Sequence, residues 1–124
     1  MNITITSVNT DDYLIVTSVG SVENTNDLNS QAELIYKEVS KYNNKKILAD
    51  FTKTTFPLDF LPYYDLVKFY ESHLPAAIRF LKIAAVISTK FEEPGKFWET
   101  VAVNRGFEYH SFTSMEEAHR WLIQ

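Results

Sequence analysis

Phe107-Glu108-Tyr109-His110-Ser111-Phe112-Thr113-Ser114-Met115-Glu116-Glu117-Ala118-His119-Arg120-Trp121-Leu122-Ile123-Gln124 is the stretch whose reading decides the fold. It opens with an aromatic-rich run directly after Gly106, the composition of a strand. Ser114 and Glu117 then form a capping box, in which serine and glutamate satisfy each other's orphan amides. Met115, Ala118, Trp121 and Leu122 fall on one helical face, and Trp121 and Leu122 are expected to anchor that helix on a sheet. A strand feeding a serine-capped helix is the closing unit of an α/β domain, and no catalytic motif accompanies it.

Upstream, Lys82 to Ser88, with Ile83-Ala84-Ala85-Val86-Ile87 at its heart, reads as a buried strand whose small residues allow close helix packing. Phe91-Glu92-Glu93-Pro94-Gly95 reads as a turn, followed by a helix that faces Phe97, Trp98 and Val101 inward and runs to Gly106. Pro62 suits a helix's first position; Tyr63, Leu66, Val67, Tyr70 and Leu74 make that helix's core stripe, and Pro75 stops it. Lys46 to Phe51 is a short apolar strand, after which a threonine-rich segment leads to Pro57. Thr25-Asn26-Asp27 caps a helix carrying Leu28, Ala32, Ile35 and Val39 and ending at Asn43-Asn44. Ile3 and Ile5 alternate with Thr4 and Thr6 as an edge strand. Asn9 to Asp12 turns the chain, and Tyr13-Leu14-Ile15-Val16 opens a second strand, expected to be buried on both faces and hairpin-paired with the first. The order β-β-α-β-α-β-α-β-α predicts one α/β domain over residues 1–124, with a mostly parallel sheet and an antiparallel edge strand.

Composition supports a single core: 124 residues, 45% of them hydrophobic, can bury about two-thirds of the unfolded surface. There is no cysteine, which removes disulfides and thiolate chemistry and favours a cytoplasmic address. No apolar run approaches bilayer length, so no membrane span is expected. Twelve basic against sixteen acidic side chains leave no electropositive excess for phosphate binding, and no nucleic acid partner is expected. Lys37, Lys41, Lys45 and Lys46 cluster where cations complement a helix's carboxyl end.

The element order, the strand from Ile83 to Ser88 and the ending from Phe112 to Leu122 resemble the SpoIIAA-like proteins of the STAS group. The likeness covers most of the chain as topology, and its sharper sequence part is the carboxyl-terminal third. It implies a βα superhelix and a regulatory role through protein partners. In STAS domains related to anti-sigma-factor antagonists, a phosphorylatable serine stands in an Asp-Ser-Ser/Thr-Gly turn after the third strand. Aligned without gaps from Asp50-Phe51-Thr52, that turn falls on Leu58-Asp59-Phe60-Leu61, which holds an acid at the phosphoacceptor position and no glycine behind it. Phosphoswitching is therefore not expected. Asp59 has two readings, a helix cap that accepts amide hydrogen bonds or a built-in mimic of phosphoserine, and the cap is the simpler.

Catalytic and metal constellations are lacking. His73, His110 and His119 have no ligand spacing, and Glu116 and His119, three apart on one helix face, would need matching acids on other helices. Glu92 and Glu93 complement a helix start, there is no glycine-rich phosphate loop, and no Gly-x-Ser-x-Gly occurs. No cofactor is expected. The anomaly is aromatic content, 15% of the chain. Tyr64 and Phe69 project away from the stripe of their helix, while Phe56 and Phe60 precede it at the carboxyl end of strand three, where open parallel sheets commonly bind ligands. Phe56, Asp59, Phe60, Tyr64 and Phe69 are thus the candidate binding surface. The leading reading is a non-catalytic regulatory or protein-interaction module, with a homodimer as the simplest partner arrangement. The alternative is a carrier of a small apolar or lipid ligand, as in the Sec14-type fold that SpoIIAA-like proteins resemble. An enzyme with an unrecognised site is the third.

Overall fold

The computed structural model describes residues 2–124. Strands β1 (Asn2–Asn9), β2 (Leu14–Ser21), β3 (Lys46–Thr55), β4 (Lys82–Ile87) and β5 (Glu108–Phe112) alternate with helices α1 (Thr25–Val39), α2 (Leu61–His73), α3 (Glu92–Asn104) and α4 (Met115–Ile123) in the predicted order. Short 3-10 turns cover Ala76–Phe80 and Thr89–Phe91. The sheet order is β1-β2-β3-β4-β5, antiparallel between β1 and β2 and parallel thereafter.

Local chemistry accounts for most boundaries and corrects several expectations. Asn24, not Thr25, caps α1, its side chain accepting the Asp27 amide, and the helix ends at Val39, before Asn43. The threonine-rich segment is strand: β3 runs to Thr55, with a bulge opposite Thr17 and Val19 and with the Thr54 hydroxyl donating to the Ser18 carbonyl at 2.7 Å. Pro94 and Gly95 lie inside the first turn of α3 rather than before it, where proline's missing amide is harmless. Gly95 faces the end of the Ile87 side chain, which would have to shift to admit a Cβ. Gly106, with φ +91°, ends that helical stretch as expected. Ser114 caps α4 by accepting the Glu117 amide at 3.2 Å, so the serine half of the capping box is formed. β2 is not buried on both faces: Leu14, Val16 and Ser18 are buried, while Ile15 and Thr17 are half-buried and Val19 is exposed.

Because chain order and sheet order coincide and crossovers are right-handed, every crossover helix falls on the same face. Helices α1, α2 and α3 cover it, over Leu14, Val16, Ile47, Ala49 and Ala85, and α4 alone covers the other, over Leu48, Ala84 and Val86. Each crossover advances the chain by one strand, about 4.8 Å, whereas neighbouring helices need about 8–10 Å between axes. Three helices cannot all touch so narrow a strip. Accordingly α1 packs on β1 and β2, α3 packs on β5, and α2 packs chiefly on α1 and α3 instead of on a strand. The middle helix forms a second storey.

Candidate functional site

The predicted surface begins where β3 ends. Its backbone is pinned by the buried Tyr63, whose hydroxyl donates to the Pro57 carbonyl at 2.7 Å. Pro62 stands in the first turn of α2, where its missing amide is no loss, but no side chain caps the helix. The N-cap residue is Phe60, and Asp59 stands exposed one position earlier without a capping hydrogen bond; the predicted cap role of Asp59 is therefore not realised.

The aromatic set divides into three. Phe56 turns inward, its ring edge-on to Phe51 at 5.4 Å and to Phe91 at 6.0 Å. Phe69, expected outside the core face, is half-buried against the core and stacks on His73 at 4.7 Å. Phe60 and Tyr64 meet over a ring from the next helix: Phe97 stacks on Phe60 at 4.5 Å and takes Tyr64 edge-on at 5.0 Å. Around that cluster Leu58, Leu61 and Tyr64 are 60%, 64% and 52% exposed. Leu61 and Tyr64 are three apart on one helix face and form an exposed apolar pair, and Leu58 is exposed three residues ahead of them in the chain. In the sequence Leu58 and Leu61 bound the stretch aligned with the phosphoserine turn and are not among the candidate binding residues. Phe80, 74% exposed in a 3-10 turn, was also missed.

A polar cluster lies between α3 and the edge strand β5. One Glu99 oxygen accepts the Ser111 amide at 2.6 Å, the Ser111 hydroxyl at 2.9 Å and His110 Nδ1 at 2.8 Å. Burial alone would raise the Glu99 pKa, but these donors outweigh it and leave the carboxyl below its ordinary value. An ionised carboxylate only accepts, so His110 Nδ1 carries the proton. Serine and histidine both end on the carboxylate, so no serine–histidine relay exists, and the arrangement ties α3 to β5 beside a cavity of about 160 Å³. The twelve-residue separation of Glu99 and Ser111 across a helix and a turn hid it from motif reading. His119 meets the Tyr13 hydroxyl at 2.7 Å, while Glu116 faces Arg120 at 3.8 Å. Among the described residues no group of histidine and acidic side chains could hold a metal ion, and no helix is long and apolar enough to cross a membrane.

No family model and no curated protein sequence matches this chain. Solved structures do. An anti-sigma factor antagonist from Mycobacterium paratuberculosis superposes with a TM-score of 0.62 at 13% identity, covering 99% of this chain and 96% of that one. An uncharacterised protein of the DUF3478 family from Shewanella loihica, with a SpoIIAA-like fold, superposes with a TM-score of 0.54 at 21% identity, covering 97% and 93%. With its five-stranded, mostly parallel sheet, antiparallel edge pair and four helices, this chain has the SpoIIAA-like fold.

Proposed function

We propose that this chain is a non-catalytic regulatory module of the STAS type that works by binding protein, and that its docking surface is the segment from Phe56 to Phe69. The observation carrying the proposal is the exposure of Leu61 and Tyr64 on one face at the start of α2, with Leu58 exposed just before the helix. Exposed apolar patches rimmed by polar groups mark interaction surfaces, and Asp59, Asp65 and Lys68 supply such a rim. One structurally similar protein is an anti-sigma factor antagonist, a name that denotes action on another protein. The phosphoserine turn of such antagonists is replaced here by Leu58-Asp59-Phe60-Leu61, so binding does not depend on a phosphorylation switch at that position.

A second copy of the chain is the simplest partner, since two-fold pairing of one apolar patch buries both copies at once. Sedimentation over a range of concentrations tests this. The wild type should self-associate, and Leu61→Asp, which alters an exposed residue, should give a monomer with unchanged circular dichroism. A wild type that stays monomeric at every concentration would remove the homodimer. The second reading, binding of a small apolar ligand, draws its support from elsewhere in the fold, an interior cavity walled by aliphatic and aromatic side chains.

A further inference from the structure

The two margins of the sheet are finished differently. At β5 the amide and carbonyl of Ser111 are both taken up by side chains of α3: Glu99 accepts the amide at 2.6 Å, and Lys96 Nζ donates to the carbonyl at 3.2 Å. This strand is also short, five residues, and carries Glu108 and His110. Shortness, charge and covered backbone groups are means by which proteins keep a sheet edge from accepting another strand.

β1 has none of them. Its eight residues contain no charged side chain and no proline, and they pair with β2 in an unbroken register. The hairpin decides which of its backbone groups are spare. The Thr10 amide donates to the Tyr13 carbonyl at 3.0 Å, and bonded and unbonded pairs alternate from there along an antiparallel ladder. Val8, Thr6 and Thr4 therefore spend their amides and carbonyls on β2, while Ser7, Ile5 and Ile3 turn theirs outward. β2 agrees with this alternation, since the carbonyl of Ser18, opposite Ile5, faces β3 and accepts from Thr54 Oγ1. No strand, loop or side chain among the described residues takes up the outward groups of Ile3, Ile5 and Ser7.

Backbone donors and acceptors repeated at every second residue are met by an extended chain, as in strand addition. The side chains along β1 narrow the choice. Ile3 and Ile5 pack against the core beneath α1, and Ser7 donates to Glu38 of that helix, whereas Thr4, Thr6 and Val8 are exposed. An added strand places alternate side chains beside the isoleucines, where branched apolar residues fit, and the others beside the threonines, where polar ones do. Glu38 already has its cation in Lys41, so no charge is called for. A second copy pairing by its own β1 would bring a second α1 and a second Glu38 to the same side of the joint; a bare segment brings neither.

We propose that the open edge of β1 is a docking site for an extended, uncharged segment of another protein, about six residues long with branched apolar side chains at alternate positions, which joins the sheet as a sixth strand. The site is separate from the exposed residues Leu58, Leu61 and Tyr64 and does not depend on their docking role.

Amide-resolved NMR of the full chain tests it, with a capped peptide of the sequence of residues 2–9, which has the required alternation, as the probe. The peptide should shift the amides of Ile3, Ile5 and Ser7 in a saturable way and slow their exchange with solvent. Ser7→Pro removes an outward donor without touching a bond to β2 and should weaken binding about tenfold; where it fails to fold, Ile3→Pro replaces it. A peptide with proline at its fourth and fifth positions, which cannot pair by either edge, should not bind, and Leu61→Asp should leave the titration unchanged. The proposal is overturned if millimolar peptide leaves the three amides unmoved, if the shifts localise to Leu61 and Tyr64, or if the proline-bearing peptide binds as well as the first. It is overturned in favour of a second copy if the chain alone sediments as a dimer that Ser7→Pro dissociates and Leu61→Asp does not.

Discussion

The two faces of the sheet solve the same burial problem in opposite ways. On one, a single nine-residue helix lies directly on β3, β4 and β5, and Leu48, Ala84, Val86, Ala118 and Leu122 are all at most 1% exposed. On the other, three helices compete for the same strip and the middle one rides above it, over a cavity. The single helix buries its patch of β3 to β5 and leaves Val19 of β2 exposed on the same face. The three helices bury Leu14, Val16, Ile47 and Ala85 just as fully, but helix width exceeds strand spacing and a cavity is left beneath the middle one. Tight packing here follows from topology as much as from the count of apolar residues.

The same substitution on both faces puts that contrast to the test with the largest expected effect. Leu122→Ala should destabilise by about 4–5 kcal/mol, near the top of the leucine-to-alanine range, because its surroundings are rigid and fully packed. Leu66→Ala, which borders the cavity and so already lacks some contact partners, should fall nearer about 2 kcal/mol. Denaturant titration reads both, and equal losses would erase the distinction. Trp121 carries less of the anchoring than the sequence suggests, since it is half-buried beneath the Lys82 ammonium, 4.6 Å from its ring centroid, while Leu122 is fully buried.

A smaller effect concerns the edge where α3 meets β5. Glu99→Ala strands the buried Ser111 amide and hydroxyl and should cost about 1–3 kcal/mol. Its pH dependence has a defined sign. A carboxyl whose folded pKa is depressed contributes stability above its ordinary pKa of 4.5, and loses it as the pH falls below that value and through the folded pKa. Acid titration of the wild type should therefore lose stability that Glu99→Ala has already lost, and the two curves should converge at low pH. Parallel curves would show that the three hydrogen bonds do not discriminate the charged form.

The smallest effect is expected at Asp59. With no capping bond to lose, Asp59→Asn should change stability by less than about 0.5 kcal/mol, as exposed substitutions away from special features do. It should leave self-association unaltered by sedimentation. A loss of association in a fully folded variant would restore the phosphoserine-mimic reading.

Much of this architecture was legible. The run Ile83-Ala84-Ala85-Val86-Ile87 could only be a buried strand, Ser114 announced α4, and Gly106 ended the preceding helix, because each of these signals is local. The inward stripe of α2 was read correctly too, but periodicity identifies which side of a helix is apolar and not how far away its partner lies. The elevation of α2 was therefore invisible, and so was the cavity. Thr52 to Thr55 misled because β-branched polar residues suit both connectors and half-exposed strands. Pro94-Gly95 misled because a proline in the first helical turn uses no amide, and the side chain that Gly95 faces is Ile87, eight residues away. For the candidate surface, sequence located the segment but not the distribution of its rings: Phe97, thirty-three residues beyond Tyr64, decides which of them are covered. The expectation of a ligand crevice at the carboxyl end of β3 borrowed a rule that needs a reversal of strand order, and this sheet has none.

That unreversed order also bears on how the chain finds its structure. Every strand hydrogen-bonds to the one made just before it, so no pairing has to wait for a distant segment. Each parallel pairing nevertheless closes over an intervening helix, so the contact order is that of a mixed α/β domain, slower to fold than a helical bundle. During synthesis the sheet can lengthen at one growing margin, hairpin first, as each βα unit leaves the ribosome. The face that α4 seals is the exception: Leu48, Ala84 and Val86 stay open to solvent, and to aggregation, until the segment from Ser114 to Leu122 has emerged. The serine cap biases that segment toward helix, but nine residues are marginal alone and hold their helix by docking on β3, β4 and β5.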